Sequence, residues 1–123
     1  MKSALVLFAH GARDVQWSVP FRTIQDKVAA RLPAVTVELA FLEISSPSLQ
    51  ETLNKLAATG HTRVTVAPLF MARGGHLKRD IPRLLEQLRS RHPSVELDLL
   101  PALGDAEPVL DAITDWLVNT LAS

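Results

Sequence analysis

The strongest constraint on folding is the alternation of four strand-like apolar runs with four helix-like apolar stripes. The runs have strand length and cover residues 4–9, 35–41, 64–71 and 95–99. After each run, apolar residues recur at the spacing of one helix face, over residues 21–32, 49–56, 81–88 and 110–121. Repeated strand–helix units of this kind predict right-handed crossovers and a parallel sheet.

The pattern of apolar residues within each run predicts the order of the strands. The first and third runs are almost continuously apolar, as in strands buried on both faces, whereas the second and fourth alternate with polar residues. Strands one and three are therefore central, which selects the order 2-1-3-4. We predict an α/β fold with a flavodoxin-like, doubly wound, four-stranded parallel sheet and helices on both faces, formed by one domain over residues 1–123.

Composition narrows the classes of partner and ligand. The 13 Lys and Arg residues balance the 13 Asp and Glu residues, so no overall field attracts nucleic acid or an anionic membrane. The chain has no cysteine, which leaves histidine and carboxylate as its strong metal ligands. The first apolar run is short and is followed by Arg13 and Asp14, so it predicts neither a signal peptide nor a membrane span. A cytoplasmic protein is expected.

Three potential metal ligands follow three of the predicted strands. In a sheet of this order, ligands bind at the carboxyl ends of strands one and three, where the chain leaves toward opposite faces. His10 follows strand one, His76 follows strand three, and Glu43 follows strand two. Two imidazoles and one carboxylate suit Fe, Co, Ni or Zn and leave coordination positions open. We predict a site for chemistry or transfer, formed by these three candidate ligands.

Basic residues and a glycine pair lie close to these histidines in the sequence. Each charge alone is typical of a solvated surface, but together they predict a ligand that carries carboxylates. The glycine pair allows positive φ and the close approach of a bulky ligand. The candidates for substrate binding are Arg13, Arg73, Gly74, Gly75, Lys78 and Arg79.

The remaining histidines and aromatic residues are less informative. His61 and His92 lie beside helix ends and are predicted on the surface. Phe21 and Trp116 have helical spacing and are predicted in the core, whereas Trp17 could be core or could stack on a flat ligand. No glycine-rich nucleotide loop follows the first strand. Ala9, rather than arginine, precedes His10, which argues against phosphohistidine chemistry.

Three segments resemble the class II tetrapyrrole chelatases, and specifically the small, single-domain CbiX-type sirohydrochlorin chelatases. They read LFAHGARD at residues 7–14, FLEISSPSL at 41–49 and PLFMARGGHLKRDIP at 68–82. The resemblance implies ATP-independent insertion of a divalent metal into sirohydrochlorin, with Co²⁺ leading to cobalamin or Fe²⁺ to siroheme. It implies a lyase-type chelatase without an organic cofactor, in which His10 and His76 bind the metal and Glu43 is their acidic partner.

The resemblance also bears on assembly and leaves alternatives open. Larger relatives fuse two such domains, and one sheet supplies only one wall of a crevice, so a homodimer that binds a small tetrapyrrole is expected. The metal could instead be Fe²⁺ or Ni²⁺, because histidine and carboxylate ligands follow affinity orders common to most proteins. A non-enzymatic carrier of metal or tetrapyrrole would use the same histidines.

Overall fold

The protein forms a four-stranded parallel sheet in the order β2-β1-β3-β4, so the predicted order is confirmed. A computed structural model describes residues 2–72 and 74–122. The strands are β1 Ser3–Ala9, β2 Val35–Phe41, β3 Arg63–Pro68 and β4 Glu96–Leu99. In the central register, Leu7 of β1 pairs with Leu39 of β2 and Ala67 of β3.

The helices lie on both faces of the sheet, as predicted, but they cover the two faces unequally. They are α1 Val19–Arg31, α2 Leu49–Ala58, α3 Gly75–Arg91 and α4 Glu107–Ala122, with short 3-10 helices at Val15–Ser18 and Leu103–Asp105. The main core lies between the sheet and the pair α2 and α3, where Phe8 and Val66 meet Leu53 and Leu85. These four side chains are fully buried, which makes this face the chief source of hydrophobic stabilisation.

A smaller apolar cluster lies on the opposite face, beneath α1. Its buried part consists of Leu7, Ala9, Leu39 and Phe41, and the half-buried Trp17 and Phe21 pack against it. The Trp17 and Phe21 rings are 4.7 Å apart between centroids. Trp17, for which the sequence left two roles open, therefore packs against the cluster.

Two element boundaries differ from the sequence prediction. β3 ends at Pro68 rather than at residue 71, because Phe70 turns into the core and its carbonyl accepts from the Gly104 amide at 3.3 Å. Helix α3 begins at Gly75, not after Asp80. Gly74 is an extended N-cap with φ −64°, and neither glycine of the pair uses the positive φ that glycine allows.

Two side chains lie in surroundings opposite to those predicted. His61 is only 6% exposed, because its Nε2 hydrogen-bonds Thr36 Oγ1 at 2.9 Å and its Nδ1 lies 3.1 Å from the Leu56 carbonyl oxygen. These bonds satisfy the buried ring. Trp116 is 68% exposed, because α4 has no buried side chain and contacts mainly the 3-10 helix Leu103–Asp105.

Within residues 2–72 and 74–122, no helix is long and apolar enough to cross a membrane.

Candidate active site

A cavity of about 390 Å³ opens at the carboxyl end of the sheet. It is lined by His10, Leu42, Glu43, His76, Leu77 and Asp80. Residues from the loops after β1 and β2 thus face residues from the first turns of α3. His10, Glu43 and His76 all line this one cavity, although they are far apart in the sequence.

The position of His10 is fixed by a contact of its ring with Phe70 and by a hydrogen bond to its backbone carbonyl. Its ring packs against Phe70 with the centroids 4.2 Å apart and the ring planes tilted by 44°, and Phe70 is only 1% exposed. The His10 carbonyl oxygen accepts a hydrogen bond from the Glu43 amide at 3.0 Å. A ring fixed on a buried platform keeps its orientation when a ligand arrives, which favours a preorganised site.

The loop that carries His10 is joined directly to the loop that carries Glu43. Gly11 has φ +101°, and a Cβ there would lie 1.9 Å from the Glu43 carbonyl oxygen. Ser45 Oγ donates to the Ala12 carbonyl at 2.9 Å and accepts from the Ala12 amide at 3.1 Å. These contacts fix the positions of the two loops relative to each other. Only glycine fits at position 11 without a shift of the loop.

His76 and Asp80 form a pair on one face of α3. Their Nε2 and Oδ2 atoms are 2.9 Å apart at i,i+4 spacing, with the side chains 85% and 43% exposed. When Nε2 faces a carboxylate, Nδ1 is the ring nitrogen left for another ligand. Asp80 was not among the predicted site residues, because the helix was expected to begin after it. A helix start at Gly75 would have revealed the i,i+4 spacing.

Of the predicted substrate-binding residues, those that the structure describes do not line this cavity. Gly74, Gly75, Lys78 and Arg79 are exposed in or next to the first turns of α3, Arg13 is exposed in the loop after β1, and Arg73 lies outside the described residues. A Cβ at Gly74 or Gly75 would meet no atom within 4 Å. Their space is open to solvent, so the backbone there is accessible to a ligand.

The histidine and carboxylate side chains of the cavity do not form a closed metal cage in this structure. Across the two described ranges, no three side chains of His, Asp or Glu stand close enough together to hold a metal ion. A site that binds a metal only in passing has less need of a closed ligand cage than a structural metal site.

Comparison with known families decides the class. The model of the CbiX family matches residues 4–120, nearly the whole chain. The chain belongs to the CbiX family. The match to the CbiX family includes His10 and His76, the two histidines of the cavity.

Several sequence relatives carry chelatase names. A sirohydrochlorin cobaltochelatase from Saccharolobus islandicus is 40% identical over an alignment 124 positions long, which covers 94% of each chain. One from Methanopyrus kandleri is 38% identical over 67% of this CbiX chain. A sirohydrochlorin ferrochelatase from Bacillus subtilis is 27% identical over 92% of it. The matched segment spans only 57% of the Methanopyrus relative and 43% of the Bacillus relative.

Solved structures share the fold. A CbiX protein from Marinobacter aquaeolei, described as a putative cobalamin biosynthesis protein, superposes with a TM-score of 0.83 at 29% identity and covers 98% of both chains. The sirohydrochlorin chelatase SirB of Bacillus subtilis subspecies spizizenii, in complex with cobalt, gives a TM-score of 0.78 at 26% identity. That match covers 97% of this chain but 51% of SirB.

Proposed function

We propose that this CbiX-family protein inserts a divalent metal, in the first place Co²⁺, into sirohydrochlorin without ATP. The observation that carries the proposal is the convergence of two imidazoles and two carboxylates, from His10, His76, Glu43 and Asp80, on one cavity at the carboxyl edge of the sheet. The names of the relatives from Saccharolobus and Methanopyrus support Co²⁺, and the Bacillus ferrochelatase supports Fe²⁺ as the second candidate.

The reaction needs a loosely held metal and a base. Two pyrrole N–H bonds break and two protons leave, while the divalent ion exchanges its imidazole and water ligands for the four nitrogens of the macrocycle. Neutral imidazole ligands carry no negative charge, so they hold a partly dehydrated metal cation less tightly than anionic ligands would. The metal can therefore be released to the macrocycle. The carboxylates of the same cavity can accept the protons.

The roles follow from how each residue is held. We assign metal binding to His10 and His76, and we place the first proton transfer at Glu43, which is exposed and anchored through its backbone to His10. Asp80 acts as a positioning residue, because its contact with Nε2 turns Nδ1 of His76 toward the incoming metal. Either imidazole can accept the second proton once the metal has left it.

The start of α3 supports an anionic substrate. Lys78 and Arg79 lie within its first turns, and the first turn has no acidic residue. Cations are disfavoured near a helix N-terminus, because the helix dipole is positive there. Carboxylates of the substrate would relieve this repulsion. We therefore propose that Lys78 and Arg79, with Arg13, Arg73 and the open backbone of Gly74 and Gly75, receive the peripheral carboxylates.

We also propose a homodimer whose cavities face one another. Matches that span about half of SirB and of the Bacillus ferrochelatase support a working unit of two such domains. The exposed apolar residues of α4, Leu110, Trp116, Leu117, Val118 and Leu121, support contact with a second copy. A single cavity covers one side of a disc-shaped ligand, and a second copy would cover the other. The cytoplasmic location stays a prediction.

The decisive experiment measures insertion directly. Purified protein is mixed with metal-free sirohydrochlorin and Co²⁺, Fe²⁺ or Ni²⁺ under anaerobic conditions, and the absorption change is compared with the spontaneous rate. We expect acceleration proportional to protein concentration, greatest with Co²⁺. Stoichiometric binding of metal or macrocycle without acceleration would support the carrier alternative. A greater acceleration with Fe²⁺ would shift the assignment from the cobalamin route to siroheme.

A further inference from the structure

A second, smaller cavity lies beside the first, across the Gly11–Glu43 contact. Its volume is about 160 Å³, and its lining consists of Ala12, Asp14, Val15, Ser18, Arg22, Phe41, Ser45 and Ser46. The two cavities are neighbours, because Ala12 and Ser45 each follow a first-cavity residue, His10 or Glu43, by two positions. Two residues of chain span at most about 7 Å.

Arg22 is the cation of this cavity. Its Nε donates to Ser18 Oγ at 3.3 Å, and Ser18 is only 7% exposed, which anchors the guanidinium at its inner end. Among residues 2–72 and 74–122, the other two guanidinium nitrogens have no hydrogen bond or ion pair. Asp14 also lines the cavity, but its Oδ1 accepts from the Gln16 amide at 2.9 Å and caps the 3-10 helix. Arg22 is thus free to pair with an external anion.

We propose that the second cavity binds one carboxylate arm of the tetrapyrrole while the macrocycle lies over the first, and that Arg22 recognises this arm. The inference rests on the proposed function. A guanidinium presents paired donors to a carboxylate, and the Ser46 hydroxyl at the wall supplies a further donor. The volume equals that of about five water molecules, enough for a short carboxyalkyl group. The arm fixes the rotation of the macrocycle over His10.

The test compares Arg22→Gln with Arg22→Lys and with Arg31→Gln. Arg31 lies in the last turn of the same helix, whereas Arg22 lies near its start, and Arg31 lines neither cavity. The measurements are kcat and KM for insertion and the Kd of metal-free sirohydrochlorin from absorption titration. We expect Arg22→Gln to raise KM and Kd about tenfold, the loss of one charged hydrogen bond, while kcat stays within about twofold.

Further results separate recognition from a structural role. Arg22→Lys should recover part of the affinity, and Arg31→Gln should behave as wild type. Unchanged Kd in Arg22→Gln, or an equal rise in Arg31→Gln, would overturn the proposal. If Arg22→Gln lowers the unfolding midpoint, Ser46→Ala carries the test, with a smaller rise in Kd expected and an unchanged Kd overturning it. If the wild-type protein binds sirohydrochlorin but does not insert the metal, the proposed function is refuted. The role of Arg22 in binding is still tested in that case, because it is judged from the Kd values alone.

Discussion

The two imidazoles of the first cavity are held in different ways but are assigned the same task. His10 rests on buried Phe70, whereas His76 is 85% exposed and is held by Asp80. We predict that His10→Ala and His76→Ala each lower the insertion rate by about 10²-fold or more, since each removes a metal ligand and possible base. Initial rates with Co²⁺ and sirohydrochlorin measure this loss.

The control for these variants is His92→Ala. His92 lies outside the cavity, and its Nε2 hydrogen-bonds Asn54 Oδ1 at 2.9 Å. Its loss should leave the insertion rate unchanged. Far-ultraviolet circular dichroism should show the wild-type fold in all three variants. Normal turnover by folded His76→Ala would place the metal elsewhere.

Asp80 gives a second prediction at the residue scale. Asp80→Asn keeps the size of the side chain but removes the charge that orients His76, so we expect kcat to fall about 10- to 100-fold. Glu86→Gln is the matched control, since Glu86 pairs with Arg89 on the same helix at i,i+3 spacing and does not line the cavity. Equal rates for Asp80→Asn and wild type would show that the His76 ring needs no such support.

His61 shows why surface or core could not be read from sequence for this residue. It follows a helix stop, which usually means exposure, but Thr36 from β2 and the Leu56 carbonyl bury and satisfy its ring. We predict that His61→Ala destabilises the protein by about 1–3 kcal/mol, because it removes the hydrogen bond to Thr36 Oγ1 and leaves a cavity where the buried ring was. Urea unfolding measures this, and kcat of the folded fraction should not change. A wild-type unfolding midpoint would contradict the role.

At the scale of elements, the strand order could be predicted because burial on one or two faces leaves a direct mark on the sequence. β1 carries apolar residues at successive positions, while Glu38 interrupts β2. The start of α3 left no such mark. Gly74-Gly75 is typical of a turn, and Pro82 lies inside the helix, so the sequence favoured a later start. Because the helix was expected to start after Asp80, the i,i+4 spacing of His76 and Asp80 was not recognised.

The junction of the β1 and β2 loops gives the prediction at this scale. Gly11→Ala places a Cβ 1.9 Å from the Glu43 carbonyl oxygen at φ +101°. We expect a loss of about 1–3 kcal/mol in stability from backbone strain, together with reduced turnover, because Glu43 must shift. Gly74→Ala is the stability control, since a Cβ there meets no atom within 4 Å at φ −64°. Equal unfolding midpoints for the two variants would disprove the steric argument.

At the scale of the whole molecule, the least predictable feature is what covers α4. Helical spacing of Leu110, Ile113, Leu117 and Leu121 shows that the helix has an apolar face. It does not show whether that face meets its own sheet or another chain. The prediction that Trp116 belongs to the core followed from the first assumption. The exposure of Trp116 in the single chain favours the second.

The last prediction therefore concerns assembly. Trp116 and Leu121 are 68% and 86% exposed, so Trp116→Glu combined with Leu121→Glu should cost the isolated chain little stability. If a second copy covers α4, the same change buries two charges at an interface and should give a folded monomer by native mass spectrometry. We expect its insertion rate to fall about tenfold or more, because a single cavity encloses one side of the macrocycle. Leu32→Glu, on a 47% exposed residue next to the end of α1, should remain dimeric and active. A double variant that is monomeric yet fully active would separate assembly from catalysis and refute the two-copy site.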